Sequence, residues 1–446
     1  MFRRALIDAL ASWAKKTNRK PLIIRGARQV GKTTLVKQFS VNFKQYIYLN
    51  LENATDRQLF QDFEETSQLI EAIFFQKNQL LEFKHQTLLF IDEIQALPKA
   101  VKMLRYFFEN EPGIAVIAAG SMLETLFDKE QSFPVGRVEY MVLRPVSFAE
   151  FLEAMGEHKA LAQLQKIPIA PFANKKLFQL FHIYATIGGM PEVVAHYAKH
   201  KDITALSSIY DALITAYLDD VEKYASGTTQ VMHIRHAIKS CFLEAGKRIK
   251  FQGFGNSLYK SREMGESLRI LEKAMLIYLI YPNTVALLPL LPDVKKSPRL
   301  QVLDTGMLNH FCGIQKEILG KQDLNEAYQG IVIEHLVGQE LLTLKYSMLS
   351  SLQYWVREKN TSSAEVDFIY LFDGKLIPVE VKSGATGKMK SLQLYMDMTP
   401  HDIAIRFYAG EINLTHATTP EGKHYKLLSL PYYLVSQIEH YIQWIS

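Results

Sequence analysis

Four short apolar runs, PLIIR (21–25), YIYLNL (46–51), TLLFID (87–92) and IAVIAAG (114–120), alternate with segments of helical period in the first third of the chain. Runs this short, rich in β-branched and aromatic residues, read as strands buried on both faces. Lys32–Phe39 and Lys99–Asn110 are two of the helical segments between them. Repeated strand–helix–strand units predict an α/β fold, with a parallel sheet covered by helices on both sides.

The chain has 446 residues, enough for three domains at roughly 150 residues each. With 48% hydrophobic and 22% charged residues it reads as an ordinary globular protein, which excludes a disordered or fibrous one. A net charge of +5 is compatible with nucleic acid as a partner but too weak to argue for it. Two cysteines, Cys241 and Cys312, make no disulfide framework and point to a reducing compartment. The first residues, MFRRALIDALASWAKK, place Phe2, Leu6, Leu10 and Trp13 on one face of an amphipathic helix, and Asp8 interrupts any signal-peptide core. Residues 274–292 carry no charge, but Pro282, Asn283, Pro289 and Pro292 break any helix long enough to span a bilayer. Two short buried strands, LIYLIY and VALLPLL, joined by a turn fit that stretch better. No membrane association and a cytoplasmic location are expected.

Starting at the first glycine of the chain, Gly26-Ala27-Arg28-Gln29-Val30-Gly31-Lys32-Thr33-Thr34 spells G-x-x-x-x-G-K-[ST] after one apolar strand and before a helix. Glycines let the backbone curl so that successive N–H groups face phosphate oxygens, and the helix N-terminus adds positive potential. Lys32 then reaches the β- and γ-phosphates and the Thr33 hydroxyl holds Mg²⁺. Leu88-Leu89-Phe90-Ile91-Asp92-Glu93 is an apolar strand ending in two carboxylates. Asp92 is expected to complete the Mg²⁺ shell and Glu93 to polarise an attacking water, which argues for hydrolysis of ATP beyond binding it. Ser121, after IAVIAAG, reads either as a γ-phosphate sensor or as the N-cap of a capping box, Ser121-Met122-Leu123-Glu124. Arg137 in PVGRVEY reads either as a cation for transition-state charge or as a surface arginine.

GARQVGKTTL, LLFIDEIQALP, AAGSM, VGRVEYMVLRPVSFAEFL, GGMPEVV, VLDTGML (302–308) and GIVIEHLVGQEL (330–341), in that order, resemble a large family of bacterial and archaeal AAA-type ATPases with a C-terminal domain of unknown function. The resemblance implies a P-loop ATPase core over residues 1–175, a helical and winged-helix unit over 176–312 and a restriction-nuclease-like α/β domain over 313–446. It gives Lys32, Thr33, Asp92, Glu93 and Ser121 the usual ATPase roles, and supplies no biological process.

The chain downstream agrees in outline. Residues 151–224 read as helices, and helices at 231–243 and 263–276 followed by the LIYLIY/VALLPLL hairpin follow winged-helix order. Arg248, Lys250, Lys260, Arg262 and Arg269 surround those helices, as phosphate contacts or as a solvated face. Beyond them come a long helix (324–346), strands in SLQYWVRE, EVDFIYLFD and LIPVEVKS, a helix at 388–398 and a strand in DIAIRFYAG.

Asp367 lies in one of these strands, and Glu380 and Lys382 share one face of the next. A hairpin brings Asp367 to Glu380, where the pair could share a divalent metal beside Lys382. This resembles the D…(D/E)-x-K core of restriction-type nucleases, in which an acid on the preceding helix completes the site; Glu334 is the matching residue. A cross-strand ion pair is the plainer reading of the same residues. Three functions stay open from the sequence: a DNA-directed ATPase with a nuclease-like effector, a signalling or scaffold ATPase with a protein-interaction module, and, disfavoured by the Asp-Glu pair, a metabolic kinase.

Overall fold

The computed structural model describes residues 2–120, 136–220, 225, 227–315, 331–359, 362–382 and 389–446. β1 (Leu22–Arg25), β2 (Gln45–Asn50), β3 (Thr87–Asp92), β4 (Ala115–Gly120) and β5 (Glu139–Val142) form a parallel five-stranded sheet in the order β2-β3-β4-β1-β5. The strands expected from the apolar runs are there, and β5, whose sequence EYMV gave no such signal, closes one edge. Successive residues of each strand point to opposite faces. Ile24, Leu88, Phe90 and Ile117 therefore pack with α1 (Leu6–Ala14) and α2 (Lys32–Phe39). Ile23, Leu89, Ile91 and Val116 pack with α3 (Ala54–Asp62), α4 (Thr66–Gln76) and α5 (Pro98–Asn110) on the other side. The layering is that of a doubly wound α/β unit, with ligand access at the carboxyl ends of the strands.

Five helices follow: α6 (Phe148–Ala154), α7 (His158–Leu164), α8 (Asn174–Ile187), α9 (Pro191–His200) and α10 (Ser207–Asp220). After α11 (Thr228–Leu243) and α12 (Ser261–Lys273), β6 (Ile277–Ile280) pairs antiparallel with β8 (Arg299–Val302). The expected hairpin is thus corrected. VALLPLL is not its second strand, because two prolines in it and after it lack the N–H that a ladder needs, and Leu287, Leu288 and Leu291 stand exposed. The intervening β7 (Pro282–Asn283) runs parallel to a strand much later in the chain, β9 (Tyr354–Lys359). Among the described residues no helix is long and apolar enough to cross a membrane. Both cysteines are free.

α13 (Thr305–Phe311) leads to α14 (Ile331–Thr343); the rest of the long helix expected from residue 324 lies outside the described residues. β9 pairs antiparallel with β10 (Ser362–Val366). A second five-stranded sheet follows, ordered β11 (Phe368–Phe372), β12 (Lys375–Val381), β13 (Ile403–Tyr408), β15 (His424–Pro431), β14 (Asn413–Thr418). Its centre is parallel and both edges are antiparallel. α15 (Lys390–Met398) connects β12 to β13, and α16 (Ile438–Ile445) ends the chain.

The three regions are knitted together. Val142 at the end of β5 donates its N–H to the Tyr346 carbonyl at 2.8 Å. Glu340 of α14 accepts the Phe148 N–H, at the start of α6, at 3.0 Å. Tyr441 of α16 accepts the Ile169 N–H at 3.0 Å.

Candidate nucleotide site

The loop between β1 and α2 is shaped by two glycines. A Cβ at Gly26 would run into the Leu143 carbonyl oxygen, so the loop can leave the sheet here only without a side chain. Gly31, at φ +92°, sits in the left-handed region at the N-cap of α2 and brings no capping side chain. The first amides of α2 are therefore left for a ligand.

Lys32 is buried and its ammonium folds back on the loop, donating to the Gly26 and Ala27 carbonyls, each at 3.0 Å. Burial lowers its pKa to about 8, against the pull of Glu93 and Asp92, which favour the charge. The Thr33 hydroxyl donates to Asp92 Oδ2 at 2.7 Å, joining the tip of β3 to the loop. The Tyr48 hydroxyl, from β2, reaches the same oxygen at 3.3 Å. Glu93 follows in the left-handed region at φ +51°, a turn that takes its side chain off the line of the strand. Its carboxylate accepts from the Gln95 amide, and burial raises its pKa above the ordinary carboxylate range.

Arg28, Lys32, Thr33 and Glu93 line a cleft of about 600 Å³, whose far wall is Pro191 and Glu192 of α9. The loop is also held from the helical region: Arg28 pairs with Asp220 at 2.5 Å, and the Tyr217 hydroxyl donates to the Arg28 carbonyl at 2.7 Å. Glycine cradle, lysine, hydroxyl and strand-tip acid together form a donor and acceptor set that fits a magnesium nucleotide. Tyr48, Tyr217 and Asp220 carry no motif, so nothing in the sequence marked them; Pro191 and Glu192 lie in GGMPEVV, which the resemblance included without a role.

Two expected members are not gathered here. Arg137 lies just before β5, whose carboxyl end is the one beside the loop, so it sits at the opposite end of the strands, paired with Glu109 at 2.8 Å. Its side chain is 45% exposed. Ser121 lies outside the described residues.

In the C-terminal region the register Phe368↔Val379 brings Asp367, at the break between β10 and β11, next to Glu380. The expected metal set of Glu334, Asp367 and Glu380 with Lys382 nevertheless needs correction. The buried Arg299 guanidinium pairs with Glu334 and Glu365 and donates to the Asp367 carbonyl at 3.0 Å. Asp367 Oδ2 accepts the Val381 N–H at 2.7 Å, and Glu380 pairs with Lys382. Resident cations thus already compensate these acids, whose pKa values burial drives upward. Among the described residues no group of three or more His, Cys, Asp or Glu is arranged to hold a metal ion.

Comparison with known proteins gives three matched family models: an AAA domain over residues 18–152, a domain of unknown function (DUF8612) over 178–318 and another (DUF4143) over 329–433. No curated protein matches the chain. Among solved structures, the Pif1 helicase from Candida albicans is 14% identical at a TM-score of 0.22, covering 39% of this chain and 45% of its own. The Aeropyrum pernix ORC1 protein in complex with DNA is 11% identical at a TM-score of 0.27, covering 69% and 90%. AMPPCP-bound DnaA from Aquifex aeolicus is 11% identical at 0.25, covering 60% and 86%. Likenesses this slight transfer nothing of those proteins' activities. The AAA-domain match spans the parallel sheet and includes the loop with Lys32 and Thr33 and the strand tip with Asp92.

Proposed function

We propose that the chain binds and hydrolyses ATP at this cleft and passes the nucleotide state to its helical and C-terminal regions. The observation that carries the reading is the 2.7 Å contact between Thr33 and Asp92, which brings loop and strand tip to one point. Gly26 to Thr34 would cradle the phosphates, with Lys32 turning from its own loop carbonyls to the β- and γ-phosphates. Thr33 and Asp92 would hold Mg²⁺, which when bound supplies positive charge against the phosphate oxygens. Glu93 orients the attacking water and accepts its proton.

Transmission follows from Arg28, whose side chain and carbonyl are both taken by α10. A phosphate that attracts the Arg28 guanidinium competes with Asp220, so loading the cleft changes how α10 is held. Of the basic residues weighed as phosphate contacts, Arg248 pairs with Glu358 and Arg262 with Glu266. That favours a switch whose output is a protein contact over one read out on DNA.

The test is ATP turnover by the wild type and by Lys32→Ala, with and without duplex DNA at low salt. Lys32→Ala is expected to weaken nucleotide binding at least ~10-fold and to abolish turnover. Equal turnover in the two proteins would overturn the site. Turnover stimulated by DNA would replace the protein-directed output with a DNA-directed one.

A further inference from the structure

A second cavity, of about 380 Å³, lies where the carboxyl ends of β1 and β5 meet α12, β6 and residues 348–352. It shares no lining residue with the nucleotide cleft. Arg25, Arg144, Arg269 and Lys273 line it, against one carboxylate, Glu272, which accepts the Leu279 N–H at 2.9 Å. The floor is apolar, from Val142, Met275 and Leu352.

Arg144 is the informative residue. It is only 6% exposed, yet among the described residues no carboxylate pairs with it. One terminal nitrogen donates to the Tyr278 hydroxyl at 2.8 Å, and the guanidinium lies 5.5 Å from the Tyr278 ring centroid. Its Nε is buried and has no hydrogen-bond partner among the described residues. A neutral phenol and a ring face compensate a buried guanidinium only in part, and the full compensation is an anion. Arg25, also buried, donates at 3.4 Å to the Lys273 carbonyl.

We propose that this cavity is a second ligand site, taking a small organic anion whose head is a phosphate monoester and whose body rests on the apolar floor. The excess of cations over acids favours a head of charge near −2 over a carboxylate of −1. Arginine forks and an unused Nε–H suit the several acceptor oxygens of a phosphate.

Phenyl phosphate, with benzoate and inorganic phosphate as comparisons, is titrated calorimetrically into the full chain and into Lys32→Ala. Phenyl phosphate is expected to bind both proteins alike and at least ~10-fold more tightly than benzoate or inorganic phosphate. Arg144→Gln should lose at least ~10-fold in affinity. Lys273→Gln, at the half-buried end of α12, and Leu352→Trp, which fills the cavity, should weaken binding too and guard against a folding defect in the first variant. The proposal is overturned if phenyl phosphate gives no heat, if binding disappears in Lys32→Ala, which would assign it to the nucleotide loop, or if all three cavity variants bind like the wild type.

Discussion

Replacing Glu93 with glutamine is expected to lower ATP turnover by about 100- to 1000-fold while leaving nucleotide affinity within about threefold of the wild type. Glutamine keeps the size and the hydrogen bond to Gln95 but cannot accept the proton of an attacking water. The residue lines the cleft beside Lys32, and a left-handed turn one residue past Asp92 sets its direction. A non-glycine residue held at positive φ costs about 1 kcal/mol, and such conformations concentrate at working sites. Turnover and equilibrium nucleotide binding, measured on the same preparation, separate the outcomes. Unchanged turnover would leave Glu93 a structural residue, whereas loss of both would make it part of the binding surface.

The second large effect is on stability. Glu340→Ala should destabilise the fold by about 2–4 kcal/mol, read from urea or thermal unfolding. Glu340 Oε1 accepts both the Phe148 N–H at 3.0 Å and the Tyr184 hydroxyl at 2.6 Å, all three groups being buried. Alanine leaves a cavity and strands the amide, and it loosens α14 from the start of α6. Glu340→Gln keeps the acceptor and should cost far less.

The same pair reports on pH. Burial raises the Glu340 pKa to about 7, because Oε2 has no partner among the described residues to favour its charge. The native state then binds more protons than the unfolded chain between the ordinary carboxylate value of 4.5 and 7. Its contribution to stability is fully present below that window and is lost as pH rises through it. The stability of the wild type relative to Glu340→Gln should therefore fall across the window and level off above it. A difference that is flat with pH would mean that Glu340 is ionised throughout.

Local patterns carried the N-terminal sheet and its loop. The unbroken apolar runs in PLIIR and TLLFID follow from burial on both sheet faces, and both observed strands end where the apolar run ends. Gly26, Gly31, Lys32 and Thr33 were visible because phosphate binding needs those residue types at adjacent positions, so the chemistry is written in a short stretch. The tip of β3 was visible for the same reason.

The acids of the C-terminal region show the limit of such patterns. Register placed Asp367 beside Glu380, but the neighbouring acids Glu334 and Glu365 are held by Arg299, which lies 35 and 66 residues from them and carries no motif. Arg28 with Asp220, Phe148 with Glu340 and the cavity around Arg144 likewise join residues that only packing brings together. Spacing along a chain determines which side chains share a strand or a helix turn, and for this protein it determined the phosphate loop, the carboxylate strand tip and the layered sheet. Which distant charges meet is decided by how helices dock, since burial in a low-dielectric interior makes each charge answer to its nearest neighbours in space, whatever their distance in sequence.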